Sequence, residues 1–239
     1  MKLKQAITGI AALACVSAAH AQSAGSIYLT TGWFHFAPQD SSKPLKVLSV
    51  GGTPVNLTEQ GTGAGINSSD TLGFSLGYFV TDHIAVETEL GIPPKFDLTG
   101  KGSFSQFGTL GSAKQWSPAV LVKYHFFDAQ ARFRPYVGLG ATYVWFTDAQ
   151  ITNSSFEQGV LHGPTSVTTD RSWAPVFNVG FNYALTKHWF AGFSVSYIPV
   201  SVTATLHTSG ATPVGGSAVS QAKIKLNPIV TFVKLGYTF

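Results

Sequence analysis

The chain of 239 residues contains one cysteine, Cys15, and one methionine, its first residue. A single thiol rules out an internal disulfide, a cysteine-built metal site and a paired redox motif. Charge is scarce as well: 11% of residues are Asp, Glu, Lys or Arg, with 15 basic against 11 acidic and a formal net charge of +4. So weak and dispersed a balance lacks the clustered basic stripe that nucleic-acid binding requires. No Asp or Glu occurs after Asp170. Beyond residue 21 no apolar run is long enough to cross a membrane as a helix.

The first 21 residues read as a secretory leader. Lys2 and Lys4 make a basic start, an apolar run follows from Ile7 to Ala19, and Ala19-His20-Ala21 supplies a small-x-small cleavage site. Cleavage after Ala21 starts the mature chain at Gln22 and removes Cys15, leaving 13 basic residues against 11 acidic. The rival, a lipoprotein signal using Cys15, meets a poor lipobox order in Ala12-Leu13-Ala14.

What remains, 22–239, suits one domain. It belongs to a chain with 44% hydrophobic residues and a mean hydropathy of +0.18, exported but without helical spans. A closed β-barrel meets those conditions, because it pairs every backbone group inside lipid. Period-two alternation and turn residues mark eight strands, roughly 26–37, 71–80, 83–98, 116–127, 133–147, 171–185, 188–206 and 223–239. Short connections at Thr81-Asp82, 128–132 and Thr186-Lys187 alternate with long ones at 38–70, 99–115, 148–170 and 207–222. The expected fold is therefore all-β: an eight-stranded antiparallel transmembrane β-barrel with short periplasmic turns and four long extracellular loops. Trp33, Trp116, Trp145 and Trp173 fall at the long-loop ends, and Tyr78, Phe126, Tyr183, Trp189, Tyr237 and Phe239 at the short-turn ends. Two girdles of this kind mark two lipid-water interfaces, which a soluble β-sandwich does not need. In the last ten residues Thr231, Val233, Leu235, Tyr237 and Phe239 share one face, and Val230, Phe232, Lys234, Gly236 and Thr238 the other.

The stretches TDHIAVETELGIPPKFDLTGKG (81–102), SPAVLVKYHFFDAQARFRPYVGLGATYVWF (117–146), DRSWAPVFNVGFNYALTKHWFAGFSVSYIPV (170–200) and LNPIVTFVKLGYTF (226–239), in this order and spacing, resemble the outer membrane protein W family, which includes alkane-uptake members. The resemblance weakens in 38–70 and 207–222. It implies an eight-stranded barrel in a Gram-negative outer membrane that admits small hydrophobic molecules. It also implies that Tyr237 and Phe239 form the terminal signal read by the barrel-assembly machinery.

Parity along the strands assigns the inner face. Leu72, Phe74, Leu76, Tyr78, Ile84, Val86, Thr88, Leu90 and Ile92 face lipid; Ser75, Ala85, Glu87 and Glu89 then face the lumen. The same parity turns Lys123, His125, Arg134 and Lys234 inward. Enclosed charges are favoured only when paired, so a plug is expected in the periplasmic half: Glu87 and Glu89 against Lys123, Arg134 or Lys234. Towards the outside the inward set becomes Phe34, Phe36, Leu121, Val144, Ala174 and Val176, an apolar funnel above a charged floor; the same side chains could instead simply fill a narrow barrel. Pro93 and Pro94 remove two ladder donors from the third strand. They mark either a structural bulge or a sideways exit into the bilayer, and the family resemblance points to the exit.

Other signals lead to no chemistry. His35, His83, His125, His162, His188 and His207 are dispersed, without a compact ligand pattern, so no metal or cofactor is expected. His207-Thr208-Ser209 superficially offers a base and a nucleophile for a lipid-modifying enzyme, but no nearby carboxylate orients the histidine, and the segment reads better as a mobile loop. Catalytic residues are expected to be absent. Lys101, Lys223 and Lys225 near outer strand ends suit contact with lipopolysaccharide phosphates or simple solvation. A solid barrel acting through its loops, as an adhesin or phage receptor, is the alternative to transport.

Overall fold

Alternating segments pair into sheet, and in this chain nearly every long segment alternates. The computed structural model describes residues 22–210 and 216–239; the expected leader with its cleavage site after Ala21, and the middle of the fourth outer connection, lie outside the described residues. The first half runs β1 (Ile27–Ala37), β2 (Ser41–Ser42), β3 (Leu45–Val50), β4 (Thr53–Glu59), β5 (Thr62–Ile66), β6 (Ser69–Phe79), β7 (Ile84–Gly91), β8 (Lys95–Gly102), β9 (Thr109–Trp116) and β10 (Ala119–His125). The second half runs β11 (Phe133–Ile151), α1 (Ser154–Gly159), β12 (Thr165–Thr169), β13 (Ser172–Ala184), β14 (Trp189–Tyr197), β15 (Ser201–Ser209), β16 (Ser217–Lys225) and β17 (Ile229–Thr238).

Eight of these strands close a ring, each antiparallel to its neighbours: β1, β6, β7, β10, β11, β13, β14, β17 and back to β1. Closure leaves no free edge, the condition for a sheet in lipid. Burial follows strict period two, as in β10, where Ala119, Leu121, Lys123 and His125 are buried while Val120, Val122 and Tyr124 are exposed. The outer face is apolar, with Leu72, Leu76, Val122, Leu139, Val179 and Leu235 each about half exposed. In a soluble protein so large a patch would be a liability; here lipid covers it. Two of the periplasmic turns share one device. The Thr81 hydroxyl accepts from the amides of His83 and Ile84, and Thr186 does the same for His188 and Trp189.

The strands do not run as far as alternation alone suggests. The third expected strand, 83–98, breaks between β7 and β8 at Ile92-Pro93-Pro94; the fourth, 116–127, breaks at Ser117-Pro118; the seventh and eighth break around Pro199 and Pro228. A proline has no N–H to donate and ends a ladder. Above this belt of prolines the long connections themselves carry strands, and the third also carries α1, so that a second layer prolongs the wall outward. Its ladders join β5 to β8, β8 to β9, β9 to the end of β11, β12 to β15, β15 to β16, and β16 to β2 and β3. The segment expected as a mobile loop, 207–222, instead supplies parts of the β15–β16 ladder, with Thr208 and Ser220 turned inward. Interior apolar side chains form a large cluster through the outer half of the barrel and a second in the extension, with Leu45, Phe104, Leu110, Phe156, Leu161 and Leu206.

Candidate functional site

The lumen divides at a layer of charge. Glu87 and Glu89 are successive inward residues of β7, Lys123 faces them from β10, and Lys234 projects from β17. Lys123 Nζ lies 2.9 Å from Glu87 Oε1 and 3.0 Å from Glu89 Oε1, and Lys234 Nζ lies 3.4 Å from Glu87 Oε1. The Tyr28 hydroxyl donates to the second Glu87 oxygen at 2.6 Å. Two anions and two cations cancel, so the layer carries no net charge and every carboxylate has a buried partner, the arrangement that low dielectric demands. The Tyr136 ring flanks both ammonium groups, 5.0 Å from Lys123 Nζ and 5.5 Å from Lys234 Nζ.

Arg134 departs from the expected plug. Its guanidinium is turned to the periplasmic end, where it donates to the backbone carbonyls of Gln22, Asp82 and Phe127. Parity correctly turns it inward, but it sits a layer too low to reach Glu87, and planar guanidinium donors can hold several carbonyls at once. Gln22 is itself buried, so Arg134 ties the start of the described chain into the barrel mouth. Among the described residues the buried His125 ring nitrogens have no hydrogen-bond partner.

Above the charged layer Phe34, Phe36, Leu121, Val144 and Val176 are all buried in one cluster. Phe34 stacks on Phe232 with ring centroids 3.9 Å apart, and Phe36 meets Phe96 of β8 edge-on at 6.0 Å. Phe232 shares a strand face with Lys234, so parity already contained it; Phe96 belongs to the extension, which strand counting had divided between strand and loop. Beside these rings is a cavity of about 360 Å³. Its lining is unusual for a lumen. Inward-facing Phe34, Val176 and Val230 contribute, and so do Leu90 and Trp116, which are 55% and 40% exposed on the outer face. Residues of both wall faces thus line it.

Backbone pairing shows how this arises. The last registered pair of β7 with β10 is Glu89 with Ala119, and the first of β8 with β9 is Lys95 with Lys114. Between them Gln115 N donates to Pro94 O at 3.0 Å, but the ladder is otherwise interrupted from Leu90 to Pro93 opposite Trp116 to Pro118. Prolines stand on both sides of the gap, and Pro94 lines the cavity. At the C-terminus Tyr237 and Phe239 lie on the outward face, Tyr237 stacked with His188 at 5.4 Å and edge-on to Trp189 at 5.1 Å. His207 and Ser209 face outward on β15, whereas Thr208 between them is buried against the Thr165 hydroxyl at 2.8 Å. Among the described residues no group of three His, Cys, Asp or Glu is placed to hold a metal.

Comparison with known proteins agrees with this architecture. The OmpW family profile matches residues 23–239. Outer membrane protein W of Vibrio cholerae serotype O1 is 33% identical over 240 residues, covering 99% of this chain and all of that one. Outer membrane protein AlkL of Ectopseudomonas oleovorans is 31% identical over 222 residues, covering 92% of this chain and 86% of that one. The crystal structure of the outer membrane protein OprG from Pseudomonas aeruginosa superposes with a TM-score of 0.79 at 25% identity, covering 93% of this chain and 99% of that one. An eight-stranded barrel with an apolar outer band, matched to these proteins along almost its whole length, belongs to the OmpW family of Gram-negative outer membrane proteins.

Proposed function

We propose that this barrel passes small apolar molecules from the outside into the outer-membrane lipid. The solute occupies the apolar lumen around Phe34, Phe36, Leu121, Val144 and Val176, and is stopped by the floor of Glu87, Glu89, Lys123 and Lys234. It leaves sideways through the wall at Pro93 and Pro94. Arg134 seals the mouth below. No covalent step is needed: each CH₂ moved out of water gains about 0.8 kcal/mol, whether in the lumen or in lipid. The floor supplies direction, because an apolar solute cannot replace the partners of four buried charges.

The observation that carries this reading is the cavity of about 360 Å³, lined by residues of both wall faces at the one place where β7 and β10 part. Tracer uptake into vesicles carrying the purified barrel tests it. Replacing Pro93 and Pro94 by residues that restore the ladder should slow uptake while the barrel stays folded. Unchanged uptake in the double variant would refute the lateral route, and a folded wild-type barrel without uptake would move the function to its outer surface.

The same reading extends to surrounding roles. Lys101, Lys223 and Lys225 are exposed above the apolar band and suit lipopolysaccharide phosphates. Tyr237 and Phe239, outward on the closing strand, serve as the segment the barrel-assembly machinery recognises. The leader, residues 1–21, is removed on export.

A further inference from the structure

A path that ends at Pro94 needs a beginning in the outer layer, where solutes first meet protein. Two joins in that layer differ from the rest. Between β11 and β12 a single registered pair, Gln150 with Ser166, remains, and α1 braces it: Glu157 accepts from Thr165 N at 2.8 Å. Between β2 and β5 the join is of another kind. The registered partner of β2 is β16 and that of β5 is β8, so the two strands meet through side chains. Ala64 N donates to Ser42 Oγ at 2.8 Å, Ile66 N to Asp40 Oδ2 at 3.0 Å, and Leu45 N to Thr62 Oγ1 at 2.8 Å. Donors two residues apart on β5 meet acceptors two residues apart on the other side. Side-chain oxygens stand where ladder carbonyls would be.

Such a seam opens more readily than a ladder. Each hydrogen bond is worth about 1 kcal/mol net and can be exchanged for water one at a time, and the strand on one side, Thr62-Gly63-Ala64-Gly65-Ile66, carries little bulk. Outside, Lys101 lies along the glycines: a Cβ on Gly65 would run into the Lys101 side chain and come within 2.9 Å of Asp40 Oδ2. Inside, the seam roofs an apolar cavity of about 60 Å³ flanked by Ser42 and Leu45 on one side and Gly63 and Ala64 on the other. A second cavity of about 80 Å³ shares Leu98, Val167 and Ile224 with it and reaches Phe96. Phe96 touches Phe36, which lines the large cavity at the wall.

We propose that the β2–β5 seam is the solute entrance, and that the apolar cavity beneath it is the first binding site, taking slender uncharged hydrocarbon-like molecules. Asp40, Ser42 and Thr62 form the latch, and their release to water parts the strands. The inference rests on the transport reading above and supplies its missing inlet.

A disulfide across the seam tests it. A Cβ on Gly63 would lie 3.0 Å from Ser42 Oγ, and Gly63 does not need a positive φ, so Ser42→Cys with Gly63→Cys brings the two side chains within reach of a disulfide. In vesicles, oxidised S42C/G63C should fall to the uptake of protein-free vesicles and recover on reduction, whereas each single variant should take up tracer at the same rate oxidised as reduced. A second variant works in the opposite direction. Asp40→Ala with Ser42→Ala removes two latch bonds and should raise the open population roughly thirtyfold, with faster uptake wherever opening limits the rate. Oxidised barrel transporting as fast as reduced barrel would overturn the proposal, as would a slower D40A/S42A variant that is still folded. Transport by the oxidised S42C/G63C barrel defeats the entrance alone; absence of wild-type transport defeats the function it rests on.

Discussion

Removal of Glu87 should be the most costly single change in the lumen. Its Oε1 is shared by Lys123 at 2.9 Å and Lys234 at 3.4 Å, and its Oε2 accepts from Tyr28. At an effective dielectric of about 20, a contact near 3 Å is worth roughly 5 kcal/mol of attraction, set against several kcal/mol of desolvation for each ion. Glu87→Ala takes away both attractions but leaves both ammonium groups buried, so the neutral layer becomes a net positive one. The expected loss is about 3–5 kcal/mol of stability. Glu87→Ala combined with Lys234→Ala restores neutrality, since Glu89 still pairs with Lys123 at 3.0 Å. That double variant should lose less than the sum of the singles, by about 1–3 kcal/mol. Urea unfolding in lipid vesicles, followed by tryptophan fluorescence, gives all the corners of the cycle. A Glu87→Ala loss below about 1 kcal/mol, with additive singles, would mean a wet layer of independent charges, and the closed floor would be refuted.

Val176→Trp should leave the barrel folded at a cost of about 1–3 kcal/mol, the new ring having the neighbouring cavity to enter; tracer uptake into vesicles should drop towards the protein-free level, and normal uptake would show that solutes do not pass there. Arg134→Ala deprives three carbonyls of their donor and should cost about 3 kcal/mol in the same unfolding assay, with Arg134→Lys recovering only part of it. Uptake should be unaffected by either change, since Arg134 lies below the floor. Gly32→Ala should impair assembly, measured as the folded fraction on refolding into vesicles, and cost about 3 kcal/mol, because a Cβ there would collide with the Val233 backbone carbonyl.

Period-two alternation is a local property, written in each residue and its second neighbour, and the sequence by itself therefore determined the strands, their inward faces and the alternation of short and long connections. Solvent makes that reading strong here: with lipid outside and an enclosed lumen inside, a one-residue slip would put Glu87 or Lys234 into hydrocarbon. Partnership across the lumen is a different matter. Lys234 and Glu87 are 147 residues apart, and which inward charges share a layer depends on strand stagger, which no local pattern encodes. Parity placed Arg134 inside without distinguishing Glu87 from the carbonyls of Gln22, Asp82 and Phe127. Pro93 and Pro94 announced a break in one strand, yet a passage needs the facing strand to break too, and Pro118 meets that condition only once β7 and β10 are neighbours. The outer connections looked like loops because glycine, serine and threonine dilute their alternation. Their strands are held by the neighbours that closure of the barrel brings alongside, so how far the extension runs, its enclosed apolar interior and the side-chain seam between β2 and β5 were decided by tertiary structure.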